Sequence, residues 1–68
     1  MRKLSLRERR PDAQRMTDPE TGEAYYLAGV WDSYGRILWA SEPTSYPTRR
    51  AAMDAAIERA AAIIAEGR

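Results

Sequence analysis

The groups able to do chemistry in this chain are carboxylates, hydroxyls and guanidinium groups, and little else. There is no histidine and no cysteine. That removes thiolate nucleophiles, imidazole general bases, disulfides and nearly all zinc or transition-metal sites. Carboxylates remain as metal ligands and favour hard ions such as magnesium or calcium. Asp18, Glu20 and Glu23 lack the spacing of a calcium-binding loop. Ser5, Ser33, Ser41 and Ser45 have no His or Cys companion to activate them. Asp18 and Glu20 form a carboxylate pair inside a turn, where solvation is the ordinary role. An acid–base pair needs a pocket that splits two pKa values, and a sheet with one helix offers no obvious pocket. The expectation is therefore no enzyme, no catalytic residue, no metal and no cofactor.

Binding chemistry is better represented. Residues 1–15 carry six basic and two acidic side chains, a net of +4, while residues 16–68 carry five basic and eight acidic, a net of −3. The chain reads as a basic arm on a mildly acidic body. Arg2, Lys3, Arg7, Arg9 and Arg10 lie in the expected arm, residues 1–12, which Pro11 closes. Such an arm can contact a phosphate backbone by counterion release or reach an acidic partner. Its simpler reading is a solvated terminus, and no aromatic is interleaved for base stacking. No run of about 18 apolar residues is present to cross a membrane, and the N-terminus has no apolar core of a secretory signal. A cytoplasmic location is the expectation.

The second binding element is a concentration of aromatics. Tyr25–Ser41 holds both tryptophans and three of the four tyrosines. Two apolar runs flank Asp32-Ser33-Tyr34-Gly35, which predicts a β-hairpin. Upstream, Asp18-Pro19-Glu20-Thr21-Gly22-Glu23 is a strong turn signal, with Pro early and Gly late. It makes residues 13–17 a short polar first strand. The second strand is expected at 23–31 and the third at 36–41. After the turn-rich Glu42–Pro47, Thr48 is suited to cap a helix over 49–65 that stops at Gly67. Ala52, Met53, Ala56, Ile57, Ala60, Ile63 and Ile64 form one stripe at helical spacing. Arg49 and Arg50 oppose the dipole of the first turn, which hints that they serve something outside the helix. The predicted fold is α+β: a three-stranded antiparallel sheet on one C-terminal helix, βββα, in a single domain over 13–68.

An even hairpin loop pairs Val30 with Ile37 and Ala28 with Trp39. The helix-covered face then holds Tyr26, Ala28, Val30, Ile37 and Trp39, and the open face holds Tyr25, Leu27, Trp31 and Leu38. Any even loop splits the two tryptophans between faces, whereas a three-residue loop reunites them. Both faces therefore carry large apolar groups, and one helix covers only one of them.

Two families share parts of this pattern. Gly35, Ile37, Leu38, Ser41, Glu42, Tyr46, Thr48, Ala52, Ala56 and Ile57 follow an order that resembles the small bacterial YegP-like domain, a ββα-type unit, over Tyr25 to Ala62. The link from Pro43 to Tyr46 is two residues longer than in that pattern, and no Asn precedes Gly35. The resemblance implies a fold and a tendency to pair, and no activity. Asp18-Pro19-Glu20-Thr21-Gly22 is similar to the first turn of phage integrase arm-binding domains. Tyr46-Pro47-Thr48 is similar to the helix entry of plant Apetala-type domains. Those domains read the DNA major groove with the open sheet face through several arginines and a tryptophan. Here only Arg36 and Arg15 are basic near that face, few for bidentate base readout.

The expected function is a non-enzymatic protein-interaction module whose open face, Tyr25, Leu27, Trp31 and Leu38, binds protein, most simply a second copy. A free-standing module of this size suits an accessory or inhibitor protein of a mobile element. The alternative is a DNA-binding accessory protein using Arg2, Lys3, Arg7, Arg9, Arg10, Arg36, Arg49 and Arg50. Nothing in the sequence points to a membrane or a small-molecule substrate.

Overall fold

A computed structural model describes residues 9–67. The elements are β1 (Arg10–Thr17), β2 (Ala24–Trp31), β3 (Ile37–Ala40) and α1 (Arg49–Ala65). The strands form one antiparallel sheet in the order β1-β2-β3, with the helix on one face. This is the βββα arrangement expected from the sequence. Met1–Glu8 of the basic arm lie outside the described residues. β1 begins at Arg10 rather than at Ala13, so Arg10, Pro11 and Asp12 belong to the sheet.

Pro11 fits in β1 because the strand is an edge. In an antiparallel pair, alternate residues aim their backbone groups away from the partner, and Pro there costs no ladder bond. Ala13, two residues on, points the same way. Its N–H donates to the Asp12 carboxylate at 2.8 Å, and its carbonyl accepts from Arg49 Nη1 at 3.2 Å. The outer edge of β1 is thus blunted by Asp12 of the strand itself and by Arg49 of α1. The Arg49 guanidinium also lies 5.7 Å from the Tyr26 ring centroid. Arg49 is unfavourable to the helix dipole yet ties the first turn of α1 to β1 and β2.

Both turns follow from their residues. Asp18 accepts from the Glu20 N–H through its side chain at 2.8 Å and from the Gly22 N–H through its carbonyl at 2.8 Å. Gly22 has φ +76°, a conformation L side chains rarely adopt. In the β2–β3 turn, the Asp32 N–H donates to the Arg36 carbonyl at 2.9 Å, leaving Ser33, Tyr34 and Gly35 as a three-residue loop with Gly35 at φ +81°. The even loop expected from the sequence is not formed.

A three-residue loop alone would bring the tryptophans together, but a β-bulge intervenes between Val30 and Trp31. Trp31 pairs with Ile37, Val30 pairs with Trp39, and Leu38 is the extra residue. The expected pairs Val30–Ile37 and Ala28–Trp39 are corrected accordingly. Ala28 instead faces Ser41. The Ser41 N–H donates to the Ala28 carbonyl at 2.9 Å, and the Ala28 N–H donates to Ser41 Oγ at 2.9 Å. The Ser41 hydroxyl donates in turn to the Thr44 carbonyl at 2.8 Å. This buried hydroxyl ends β3 without orphaning the β2 backbone. Tyr46 then rejoins β2 through two backbone hydrogen bonds with Tyr26.

Thr48 caps α1 by accepting from the Ala51 N–H at 3.1 Å. The buried stripe is Ala52, Ala56, Ala60 and Ile63. Their small side chains let the helix lie close to Ala13, Ala28 and Val30, with Tyr26, Trp39, Tyr46 and Met53 closing the sides. Ile57, expected in the stripe, is 42% exposed on the helix flank. Val30 is the largest side chain that is fully buried. Among the described residues, no helix is long and apolar enough to cross a membrane.

Candidate functional site: the sheet face opposite the helix

The strand register assigns the face away from α1. On β2 it carries Tyr25, Leu27, Gly29 and Trp31. Opposite them on β1 stand Met16, Gln14, Asp12 and Arg10, and on β3 Ala40 opposes Gly29 while Ile37 opposes Trp31. No described element packs across this face. Tyr25, Leu27 and Trp31 are half-buried by their neighbours, while Ile37 is 57% and Met16 37% exposed.

Trp31 keeps its place by lying back along its own strand over Gly29. A methyl group at Gly29 would come within 2.4 Å of the Trp31 ring. The glycine thus makes room for the indole, and the indole covers backbone that a side chain would otherwise shield. The result is a flat aromatic surface at one end of the face. At the other end, Tyr25 and Leu27 line a cleft of about 640 Å³ rimmed by Asp18, Glu23 and Glu42. Pro19 and Pro43 complete its walls.

The structure brings Tyr25, Leu27 and Trp31 onto one face. Leu38 stands apart from them: the bulge places it with Trp39, Arg59 and Ile63 around a small cavity on the helix side. Ile37, which the sequence pattern put under the helix, takes a place on the open face beside Trp31. The only sequence signal that could have found this is the short loop ending in Gly35, and the bulge that follows carries no residue marker. Trp39 sits at the helix side, with the Arg59 guanidinium 4.9 Å from its ring centroid.

The candidate cationic residues do not form one patch. Arg36 donates from Nε to Asp32 Oδ2 at 3.0 Å and lies 5.6 Å from the Tyr34 ring centroid. Arg49 is held by Ala13 and Tyr26 on the far side of the sheet. Arg50 is exposed on the first turn of α1. Arg10 stands opposite Trp31. Arg2, Lys3 and Arg7 lie outside the described residues.

Asp32 has a proton affinity that departs from that of an ordinary aspartate. The Arg36 backbone N–H donates to its Oδ1 at 2.9 Å and favours the charged form most, burial opposes this in part, and the Tyr34 N–H to Oδ1 at 2.9 Å and the Arg36 guanidinium to Oδ2 at 3.0 Å add to the lowering. Together they hold its pKa below the usual aspartate value. The hydrogen bonds it accepts from Tyr34 and Arg36 close the hairpin turn, so it serves as a structural group. Among the described residues, no three Asp or Glu side chains come together to hold a metal ion.

Comparison with protein-family models, with curated proteins and with solved structures gives no match for this chain.

Proposed function

We propose that this chain is a small non-enzymatic interaction module that binds protein through the sheet face opposite its helix. One observation carries the reading. The core under the helix is built from alanines, with Val30 the largest fully buried side chain, while Tyr25, Leu27, Trp31, Ile37 and Met16 crowd the face with no helix. Aromatic and large aliphatic groups gathered on an uncovered face are characteristic of partner surfaces. A domain this small buries a modest share of its surface, so a partner also supplies stability that the monomer core lacks.

The test is capture from a native lysate with the wild-type chain and with Trp31→Ala, checked for folding by circular dichroism. The variant is expected to keep its spectrum and lose the bound protein. Retained binding would remove the open face as the site, and an unfolded variant would place Trp31 in the core.

The excess of positive charge in residues 1–15 favours a second reading, a DNA-binding accessory protein. Arg36 and Arg49, two of its candidate contacts, are already engaged within the fold. Mixed-sequence DNA at about 50 mM salt tests it, since several phosphate contacts give measurable nonspecific affinity there.

A further inference from the structure

The open face carries more negative than positive charge. Asp12 stands opposite Gly29 on it, and Asp18, Glu23 and Glu42 rim the cleft beside Tyr25 and Leu27. Among the described strand residues of this face, Arg10 is the one basic group. The Glu23 and Glu42 carboxylates form no ion pair with a described residue. Met1–Glu8, outside the described residues, carry three basic side chains and one acidic, a net of +2. They join the domain at the Trp31 end, where the backbone bends at Arg9 and Arg10 stands opposite Trp31.

We propose that this N-terminal segment is an intrachain cover of the open face, which a protein partner displaces when it binds. The inference rests on the reading of this face as a protein-binding surface. Length, pattern and charge each point to the same occupant. Trp31 and Tyr25 are six residues apart on β2, about 20 Å along a strand. Lys3 and Arg2 precede Arg10 by seven and eight residues, which an extended chain covers in about 23 and 26 Å. A segment that turns back at Arg9 thus brings both cations to the acidic cleft, with a few ångströms left for the reversal. Leu4 and Leu6 alternate in the sequence, so an extended segment turns both to one side. They fall over the stretch between Trp31 and Tyr25, on Leu27 and the indole. Two leucines and two exposed ion pairs bind weakly between separate molecules. A short tether changes that, because it presents the segment to the face at an effective concentration in the millimolar range. The same modest contact yields to a partner, a second copy included, that buries more of the face.

The chain has no cysteine, so Ser5→Cys places a single nitroxide label on the segment of the full chain. The measurement is paramagnetic broadening of backbone amide signals in dilute solution at about 50 mM salt. Glu23 and Tyr25, at the end far from the tether, are expected to broaden, while Ala56 in the helix layer stays sharp. Arg2→Glu with Lys3→Glu, or about 500 mM salt, should reduce the broadening on the order of fivefold. The unlabelled charge-reversed chain should capture about fivefold more protein from a native lysate than the wild type, since the competing segment is released. Sharp Glu23 and Tyr25 signals, or equal broadening at Ala56, overturn the inference and leave the protein-binding reading to the Trp31→Ala test. Broadening that fades on further dilution puts the segment on a second copy and overturns the intrachain cover. Broadening as expected, with capture unchanged by charge reversal, overturns displacement by the partner. Broadening as expected, with no capture by either chain, supports the cover and contradicts the protein-binding reading.

Discussion

The two faces of this sheet solve opposite problems. On the helix side, Ala13 and Ala28 meet Ala52 and Ala56, and close approach of backbones replaces side-chain bulk. Trp39 and Tyr26 close that layer from the flanks, each beneath an arginine. On the other side, Trp31 lies over Gly29 and shares its face with Leu27, Tyr25 and Ile37. One face has little room for anything more, whereas the other holds large groups with no helix to cover them. The lesson is that aromatic content alone does not mark a core. Where the bulk lies relative to the helix decides whether it stabilises the monomer or awaits a partner.

The sharpest way to break the comparison is to add bulk where room is absent. Ala56→Leu forces extra carbons into fully buried contact with the sheet. It should destabilise the domain by about 3 kcal/mol, enough to unfold much of so small a protein. A near-neutral result in thermal unfolding would mean that the helix layer is loose. Next comes the contrast between the tryptophans. Trp39→Ala should cost about 2–3 kcal/mol in urea unfolding of the dilute chain, and Trp31→Ala about 1 kcal/mol or less under the same conditions. Equal costs would erase the distinction between the faces.

A smaller effect sharpens the open face itself. Gly29→Ala displaces the Trp31 ring, because its new methyl group meets the indole at 2.4 Å. The expected loss is about 1–2 kcal/mol, with Trp31 emission shifted to the red. Combining it with Trp31→Ala should cost less than the two single changes added together, since they share one contact. Strict additivity would show that the ring does not rest on Gly29. The smallest effect concerns the hairpin end. Asp32 has a lowered pKa when folded, so its charge contributes stability above its unfolded pKa, near 4, and that contribution disappears as pH falls through the folded value. Asp32→Asn keeps one turn acceptor but removes the charge, so it should lower stability slightly at neutral pH and leave a flatter acid limb, with the two chains converging as pH falls well below about 4; parallel pH profiles in urea unfolding would contradict this role.

Much of this fold could be read from residue types. The Pro-then-Gly turn at 18–22, the Thr48 cap and the helix over Arg49–Ala65 all follow from local chemistry. Register could not be read in the same way. The loop is three residues long, and Leu38 is then inserted as a bulge, so two departures from an even hairpin offset one another. That is why Trp31 and Trp39 lie on opposite faces although the pairing behind that separation differs from the expected one. Ile37 shows the local consequence, since it stands on the open face rather than under the helix. The start of β1 was hidden for a different reason. Pro11 reads as a strand breaker, and only the edge position of the strand makes it harmless. Arg49 was half legible: its conflict with the helix dipole signals an outside role, but the Ala13 carbonyl as its partner emerges only in three dimensions.

With two tryptophans in the chain, the two indole N–H signals in a ¹H–¹⁵N spectrum report the two faces separately. Their positions followed over a dilution series test the central claim most directly. The Trp31 signal should move with concentration as the open faces meet, and the Trp39 signal should stay where it is. A stationary Trp31 signal, or a Trp39 signal that moves as far, would contradict the proposal that the open face is a protein-binding surface whose simplest partner is a second copy.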